Sequence, residues 1–561
     1  MVCKEHFEQT SATSCFNSLC LRWPTMVLLF ILLLAAFLRL VKQGQSPPGL
    51  NQDEAVEAWN AYCLLKTGKD QVGVSWPIFY MRGLGCNYPT LFVYLLMPFQ
   101  LIGGMNIFTT RLPAAVGGIF TVWLIYFVGR RLFGEKTGLL AAFFTALNPW
   151  HLQQSRWGHE ASICPLLGLV PLAMLLWAGI PADNDESHPP KPLRAAIAGA
   201  VTAISCYGYL AIRLFVPIFL LLFVLFTLPE WRRSLKSRKG VLAVIMFFVA
   251  FALVFGPLVW QHIFYPEGIG RHIQYKQQWF GTESFSAAIK SITDRYAQHF
   301  GFDFLFIRGD PCIYQTPPNN GLFHWYMPVI MILGWMILFR DFSSRSARML
   351  FAFVLSYPVG DCFGWELTIH ALRSSPGLCS LVLLASVGAV ETGMWLWHKS
   401  RIIFITAAIA FFAAVVGLNA RYFYNFYYKF NRRTEIYLAY NADLVEACRW
   451  LKPRLDEFDA VFCTTQGLNM PYIVTLVVMD YDPKRWFKEG FDVTEEGEWD
   501  NYTRYGKMYF MYNQSVLSAL KKLSRNTRVL FIVRPGELGL KNPIHQIYCP
   551  DGTATLWICQ P

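Results

Sequence analysis

"PTMVLLFILLLAAFLRLV" (24–41), followed six residues later by "PPGLNQDEA" (47–55), decides how this chain has to be read. Eighteen residues carrying one charge, Arg39, come close to the roughly 20 apolar residues a helix needs to cross a bilayer. Two prolines and a glycine then break the pattern, and two adjacent acids, Asp53 and Glu54, follow at once. The chain leaves the apolar phase and immediately presents a carboxylate pair.

The rest of the sequence repeats the first half of that theme. The 561 residues are 54% hydrophobic, 16% aromatic and 15% charged, against about 25% charged for a soluble domain. Apolar runs at 24–42, 111–129, 137–150, 162–179, 194–208, 212–228, 240–260, 323–339, 347–362, 374–396 and 401–418 are candidate spans. The expected fold class is therefore a polytopic α-helical membrane protein of about eleven transmembrane helices plus interfacial helices. No cleavage site follows the first run, which is expected to stay as a helix.

The net charge of +12 points to topology rather than to nucleic acid. Lys and Arg concentrate in "RRLFGEK" (130–136), "PEWRRSLKSRK" (229–239), "RDFSSRSAR" (340–348) and "HKSR" (398–401), short loops that the positive-inside bias places in the cytoplasm. The parity works if "YPTLFVYLLMPFQLIGG" (88–104) is interfacial or re-entrant rather than spanning. Residues 1–23 then form a cytoplasmic N-terminus and 24–418 a membrane domain. Its first outer loop is 43–110 and its large outer loop 261–322. Residues 419–561 lie outside.

That last region changes character. "ADLVEACRWLKPRLDEF" (442–458) is an amphipathic helix pattern, while "AVFCTT" (460–465), "YIVTLVVMD" (472–480) and "RVLFIVRP" (528–535) read as strands of a small α/β domain. Near its end, "IYCPDGTATLWIC" (547–559) places Cys549 and Cys559 across a predicted hairpin, where a disulfide would need an oxidising compartment. The 14 cysteines include no C-x-x-C pair, so no metal site is expected and most should act as small buried hydrophobes. Sequons at Asn501 and Asn513 matter only in a glycosylating host.

The unusual polar residues gather in the outer loops. Asp53 or Asn51 could simply cap the helix expected over "EAVEAWNAYCLLKTG" (54–68). "HLQQSRWGHEAS" (151–162) supplies His151, Arg156, His159 and Glu160, the last two placed to begin a helix. "FLFIRGDPCIYQTPPNNGLFHWY" (304–326) supplies Arg308 and Asp310, which could pair with each other. "GWELTIHALRSSPG" (364–377) supplies Glu366, His370 and Arg373, and Arg213 lies near Tyr207 and Tyr209. Together these acids, histidines and arginines ring a membrane-embedded vestibule. Arginines suit a phosphate, apolar aromatic walls suit a lipid tail, and a base beside a phosphate cradle suits displacement of a lipid phosphate.

The order of these motifs resembles that of the GT-C glycosyltransferases, in the protein O-mannosyltransferase and aminoarabinose transferase branch. The resemblance rests on "NQDEA" (51–55), "NYPTLFVYLL" (87–96), the whole of 111–162, "FIRGDP" (306–311) and "HALRSSPG" (370–377), and covers most of 24–396. It implies a polyprenyl- or dolichyl-phosphate sugar donor and an inverting single displacement outside the membrane, with no cofactor and no required metal. Asp53 takes the place of the catalytic base with Glu54 beside it, and the second-loop motif falls on His159 and Glu160. Donor phosphate and sugar contacts are implied for Arg156, Arg308, His370 and Arg373, with Arg213 and Arg82 in support. Where aminoarabinose transferases resemble each other in a Lys-Pro, this chain has Tyr88-Pro89; Tyr88 joins the donor group and the donor sugar stays open. Acceptors remain lipid, glycan or protein. The short 261–322 loop and compact tail fit a bacterial inner membrane. A lipid-linked sugar transporter is the rival reading, although transporters place ionisable groups within spans near the midplane. A membrane-anchored binding module, with the tail as its working part, is a third.

Overall fold

A computed structural model describes residues 5–181, 190–265, 284–314, 320–363, 369–496, 499–512 and 527–561. Glu366 and Asn513 lie outside them. Among the described residues, six helices are long and apolar enough to cross a membrane: Trp23–Leu40, Ile107–Phe133, Glu160–Ala178, Arg238–Phe264, Ala371–Lys399 and Arg401–Arg432. Leu210–Phe226 and Leu228–Ser234, bent by 82° at the break between them, make a broken span or a re-entrant element, and Leu91–Gly103, Pro192–Ser205 and Met327–Arg340 are shorter apolar helices. The expected spans at 137–150 and 347–362 fold as Glu135–Leu147 and Arg345–Ser356, of 13 and 12 residues. At ~1.5 Å per residue each covers about 20 Å, short of a ~30 Å hydrocarbon core. The sequence count of eleven thus includes elements that length alone would not class as spans.

Helix α1 (Glu5–Leu40) ends at Arg39, which is buried and donates to the carbonyls of Thr145 and Ala146. Helix α2 (Gln52–Thr67) starts where the capping logic predicts. Asn51 accepts from the Asp53 N–H at 2.9 Å, and the Glu54 carboxylate accepts from the Asn51 N–H at 3.1 Å, a reciprocal capping box. Gly68, in the left-handed conformation, closes its C-terminus.

The first loop continues into a hairpin, β1 (Tyr80–Gly83) and β2 (Cys86–Pro89), which pairs Met81 with Tyr88. Its two turn residues, Leu84 and Gly85, both have positive φ, the backbone a tight hairpin demands. Helix α3 (Leu91–Gly103) follows; its 13 residues agree with an interfacial element rather than a span. Helix α4 (Ile107–Phe133) packs on α1 and α2.

The candidate span from Arg401 continues to Arg432, so the α/β unit expected over 419–561 begins beyond it. Strands β3 (Ala460–Cys463), β4 (Phe491–Glu496), β5 (Trp499–Tyr505), β6 (Met508–Phe510), β7 (Val529–Val533), β8 (His545–Tyr548) and β9 (Ala554–Cys559) make one sheet in the order β4-β5-β6-β3-β7-β9-β8. Among the described residues, β3 runs parallel to both of its neighbours, β6 and β7, and the other pairs are antiparallel. Two expectations are corrected. "YIVTLVVMD" is a helix, Pro471–Val478, started by Pro471 at its first turn and buried on all sides, which erases the period that separates strand from helix. The β8–β9 hairpin forms, but pairing of His545 with Ile558 carries Cys559 to the far end of the ladder while Cys549 stays at the turn. Both thiols are free and buried.

The two halves share a core. Leu50, Ala55, Val56 and Trp59 of the first loop pack with Leu444, Tyr472, Trp486 and Tyr502. Leu50 also donates its N–H to the Tyr440 carbonyl at 2.7 Å, and Trp486 Nε1 donates to Gln71 O at 2.9 Å. The C-terminal unit thereby fixes α2 from behind.

Candidate active site

The adjacent acids Asp53 and Glu54 diverge because consecutive helical residues point about 100° apart. Glu54 turns inward. Arg111 of α4 grips it with Nε to Oε1 at 2.7 Å and Nη2 to Oε2 at 2.9 Å, both side chains wholly buried. The Gly158 N–H adds a third donor at 2.8 Å. Residue 158 has to be glycine for this approach, since a Cβ there would lie 2.7 Å from Thr110 O. Arg111 also binds the carbonyls of Gln43, Pro47 and Gly49. Glu54 is therefore a structural anion that ties the loop to α2, α4 and the second loop, and the expected catalytic part for it is corrected.

Asp53 faces the other way and keeps partial exposure. Its carboxylate accepts a hydrogen bond from Tyr88 Oη at 3.1 Å, placed there by the β1–β2 hairpin. Burial lifts the Asp53 carboxyl to about 6, with the Glu54 charge adding and the Tyr88 bond opposing. Tyr88 itself is held well above the ordinary phenol range by burial and by the Asp53 charge, so it remains a donor. A carboxylate near 6 is mostly ionised at neutral pH yet basic enough to take a proton.

One turn after Asp53, on the same face of α2, lies Glu57, which the sequence reading overlooked. It is fully buried. Burial and the neighbouring charge of Glu160 push its carboxyl well above the ordinary range, and Glu160 is within hydrogen-bonding reach. Two buried carboxyls in contact share a proton rather than both ionise. The i, i+4 spacing of Asp53 and Glu57 was the available signal.

His159 caps a one-turn helix, Glu160–Ile163, its Nδ1 accepting from the Ala161 N–H at 3.0 Å. Burial, helped by the charge of His370, lowers it to about 3. A neutral imidazole with Nδ1 accepting carries its proton on Nε2, which sits 3.1 Å from Glu160 Oε2. Its ring stacks on Trp157 at 4.5 Å, and Trp157 stacks in turn on Tyr314 at 6.1 Å.

The six arginine and histidine candidates separate into two groups. Arg156 is buried against backbone, donating to Leu38 O, Arg39 O, Val41 O and twice to Ser46 O between 2.8 and 3.1 Å. With all five donors occupied it seals the end of α1 and is not a phosphate ligand. Arg308 is 74% exposed at its side chain and pairs with Asp303 at 2.8 Å, not with Asp310. Arg82 pairs with Asp500 of the C-terminal unit at 3.1 Å. These three leave the site.

Arg373, Arg213 and His370 stay near it. Arg373 hydrogen-bonds Tyr209, whose ring lies 6.2 Å from His159. Its Nη1 sits 3.7 Å from Asp361 Oδ1. Asp361 also takes Arg295 Nη2 at 2.9 Å and His299 Nε2 at 3.2 Å, a buried network that orients Arg373 and that hydropathy alone hides within an apolar run. The charge of Arg213 reaches Glu160, and its Nη1 is 2.9 Å from His262 Nε2. His370 lies 3.3 Å from Asp310. His151 is buried beside Arg39 Nη2 at 2.7 Å and is structural.

Known proteins resemble this chain in sequence profile and in fold. Residues 87–260 match the family model of dolichyl-phosphate-mannose-protein mannosyltransferase. No curated protein sequence matches the chain. Among solved structures, the oligosaccharyltransferase AglB of Archaeoglobus fulgidus, in complex with an inhibitory peptide and a dolichol-phosphate, superposes with a TM-score of 0.51 at 14% identity over 81% of this chain. The chain spans 64% of that enzyme's length. ArnT from Cupriavidus metallidurans, bound to undecaprenyl phosphate, superposes with a TM-score of 0.52 at 11% identity, over 96% of this chain and 98% of its own. The protein is a polytopic helical membrane protein with the fold of the GT-C superfamily of membrane glycosyltransferases.

Proposed function

We propose that this protein transfers a sugar from a polyprenyl-phosphate donor to an acceptor hydroxyl by an inverting single displacement, with Asp53 as the base. The observation that carries the reading is the division between the two acids. Glu54 is locked by Arg111 and Gly158, whereas Asp53 is partly exposed, accepts one hydrogen bond among the described residues, and titrates near 6.

The acceptor oxygen attacks the anomeric carbon as its proton passes to Asp53. The bond from that carbon to the phosphate oxygen breaks, and the lipid phosphate leaves carrying the charge. Arg373, bonded to Tyr209, and Arg213, whose charge reaches Glu160, are the cations assigned to stabilise it. Tyr88 orients Asp53, and the proton shared by Glu57 and Glu160 limits that pair to one negative charge beside the base. The donor likeness rests on the lipid phosphates bound by the two solved relatives. The reaction proposed is extracytoplasmic, the side that the charge asymmetry of the loops favours for 43–110, and the short 261–322 loop and compact tail favour a bacterial inner membrane.

The test uses purified protein in detergent with a panel of polyprenyl-phosphate sugars and candidate lipid, glycan and peptide acceptors. Release of polyprenyl phosphate that depends on acceptor and on Asp53 supports the proposal. Donor translocation across sealed vesicles without sugar transfer would instead support a transporter.

A further inference from the structure

Asp310, Cys312 and His370 come from two separate loops, yet their ligand-type atoms all lie within 4.8 Å of one another. Asp310 and His370 are conspicuous in sequence, but no short C-x-x-C or H-x-x-H pattern marks the three as a ligand set. We propose that they form a site for a zinc-class divalent metal ion, with the Cys312 thiolate, the His370 imidazole and the Asp310 carboxylate as ligands and a fourth position open.

The geometry separates this from an ordinary ion pair. His370 Nδ1 and Asp310 Oδ2 are 3.3 Å apart, long for a charge-assisted hydrogen bond of ~2.7–2.9 Å. Ligands ~2.0–2.1 Å from a tetrahedral zinc are separated by about 3.3 Å, the edge of the tetrahedron. Nδ1 also accepts from the Leu372 N–H at 3.3 Å. With Nδ1 accepting, a proton closing its contact with Asp310 would have to sit on the carboxyl, and a cation bound by both atoms would take that proton's place. Cys312 Sγ lies within 4.8 Å of both other ligand atoms, and a zinc–sulfur bond of ~2.3 Å would draw it inward.

The backbone around the ligands is already fixed. The Cys312 N–H donates to Asp310 Oδ1 at 2.8 Å, the Ala371 N–H to Asp310 Oδ2 at 2.5 Å, and the His370 N–H to Asp361 Oδ2 at 2.9 Å. Such outer contacts orient ligands and tune affinity. A thiolate in the set favours zinc over magnesium or calcium. The site would clamp the 303–314 loop to the 370–377 turn that carries Arg373. It borders the candidate active site: Tyr314, two residues after Cys312, stacks on Trp157, which stacks in turn on His159.

The test needs no sugar donor, so its failure would leave the transfer reading standing, and failure of transfer would leave this site standing. Full-length protein is stripped with chelator in detergent and titrated with zinc or cobalt(II) chloride. One bound ion per chain and a thiolate-to-cobalt charge-transfer absorption are expected. Cys312→Ser should abolish the absorption and weaken binding at least tenfold. X-ray absorption on the zinc-loaded wild type should show one sulfur at ~2.3 Å with lighter ligands at ~2.0–2.1 Å, a readout that holds even if the variant folds poorly. A wild-type protein that binds no stoichiometric metal, or binds it with no sulfur ligand, overturns the proposal.

Discussion

Replacing Asp53 with Asn should make the protein inactive and more stable at once. A carboxyl moved from 3.8 to about 6 on folding disfavours the ionised folded state by up to about 3 kcal/mol, at ~1.4 kcal/mol per tenfold. Between those two values the folded chain binds more protons at this position than the unfolded chain, so stability falls as pH rises through the window and stays reduced above it. Asn has no proton to lose and carries no such dependence. Because Asp53 keeps partial exposure, the realised gain at pH 7.5 should be about 1–2 kcal/mol, an upward shift of a few degrees in unfolding midpoint. The gain should shrink toward zero near pH 4. Turnover should drop by ~10²–10⁴, the usual contribution of a general base. Thermal unfolding of both forms in detergent across pH 4–8, read beside polyprenyl-phosphate release, tests both halves. An Asp53→Asn protein that is less stable at pH 7.5, or that turns over at the wild-type rate, would refute the reasoning.

The neighbouring positions should respond differently. Glu57→Gln should retain turnover within a few-fold, because Glu57 already holds a proton near neutral pH; a loss as large as that of Asp53→Asn in the same release assay would move the base to Glu57. Glu54→Ala leaves Arg111 buried and unpaired and should cost about 3–5 kcal/mol, visible as lost folded yield in size-exclusion chromatography. Arg373→Lys should raise KM for the donor with little change in unfolding midpoint. Arg156→Lys, which removes donors from the end of α1, should lower the midpoint and leave KM of the folded fraction unchanged. The wild-type kcat/KM should fall about tenfold per pH unit below about 6, where Asp53 takes up its proton.

The membrane class and the α/β tail were legible because they are written in one-dimensional signals. Apolar length marks the spans and basic loops mark their sides. Turn chemistry marked the start of α2, where Asn51 and Glu54 close a capping box. The failures share a cause. "YIVTLVV" is buried on every side, so its hydrophobicity carries no period and β-branched composition suggested a strand. The guanidinium of Arg156 looked like a phosphate ligand, because a sequence shows a charge and not whether four backbone carbonyls already take all five of its donors.

The two acids show the limit most sharply. Both acids stand in the first turn of α2, and local chemistry alone gives either one a capping role or a catalytic role. What separates them is Arg111, 57 residues further on, and Gly158, 104 residues further on. Those contacts bury Glu54 so completely that Asp53, about 100° round the helix, is directed toward Tyr88, Glu57 and Glu160. The same rotation explains why a second anion can stand so near the base. Glu54 is compensated by a bidentate arginine, so it raises Asp53 only modestly beside the effect of burial itself. Removing Arg111 should therefore do more than destabilise the loop. In whatever fraction still folds, an uncompensated Glu54 would hold Asp53 protonated to higher pH and move the acidic limb of the rate profile upward, an outcome that a purely structural Arg111–Glu54 pair would not produce.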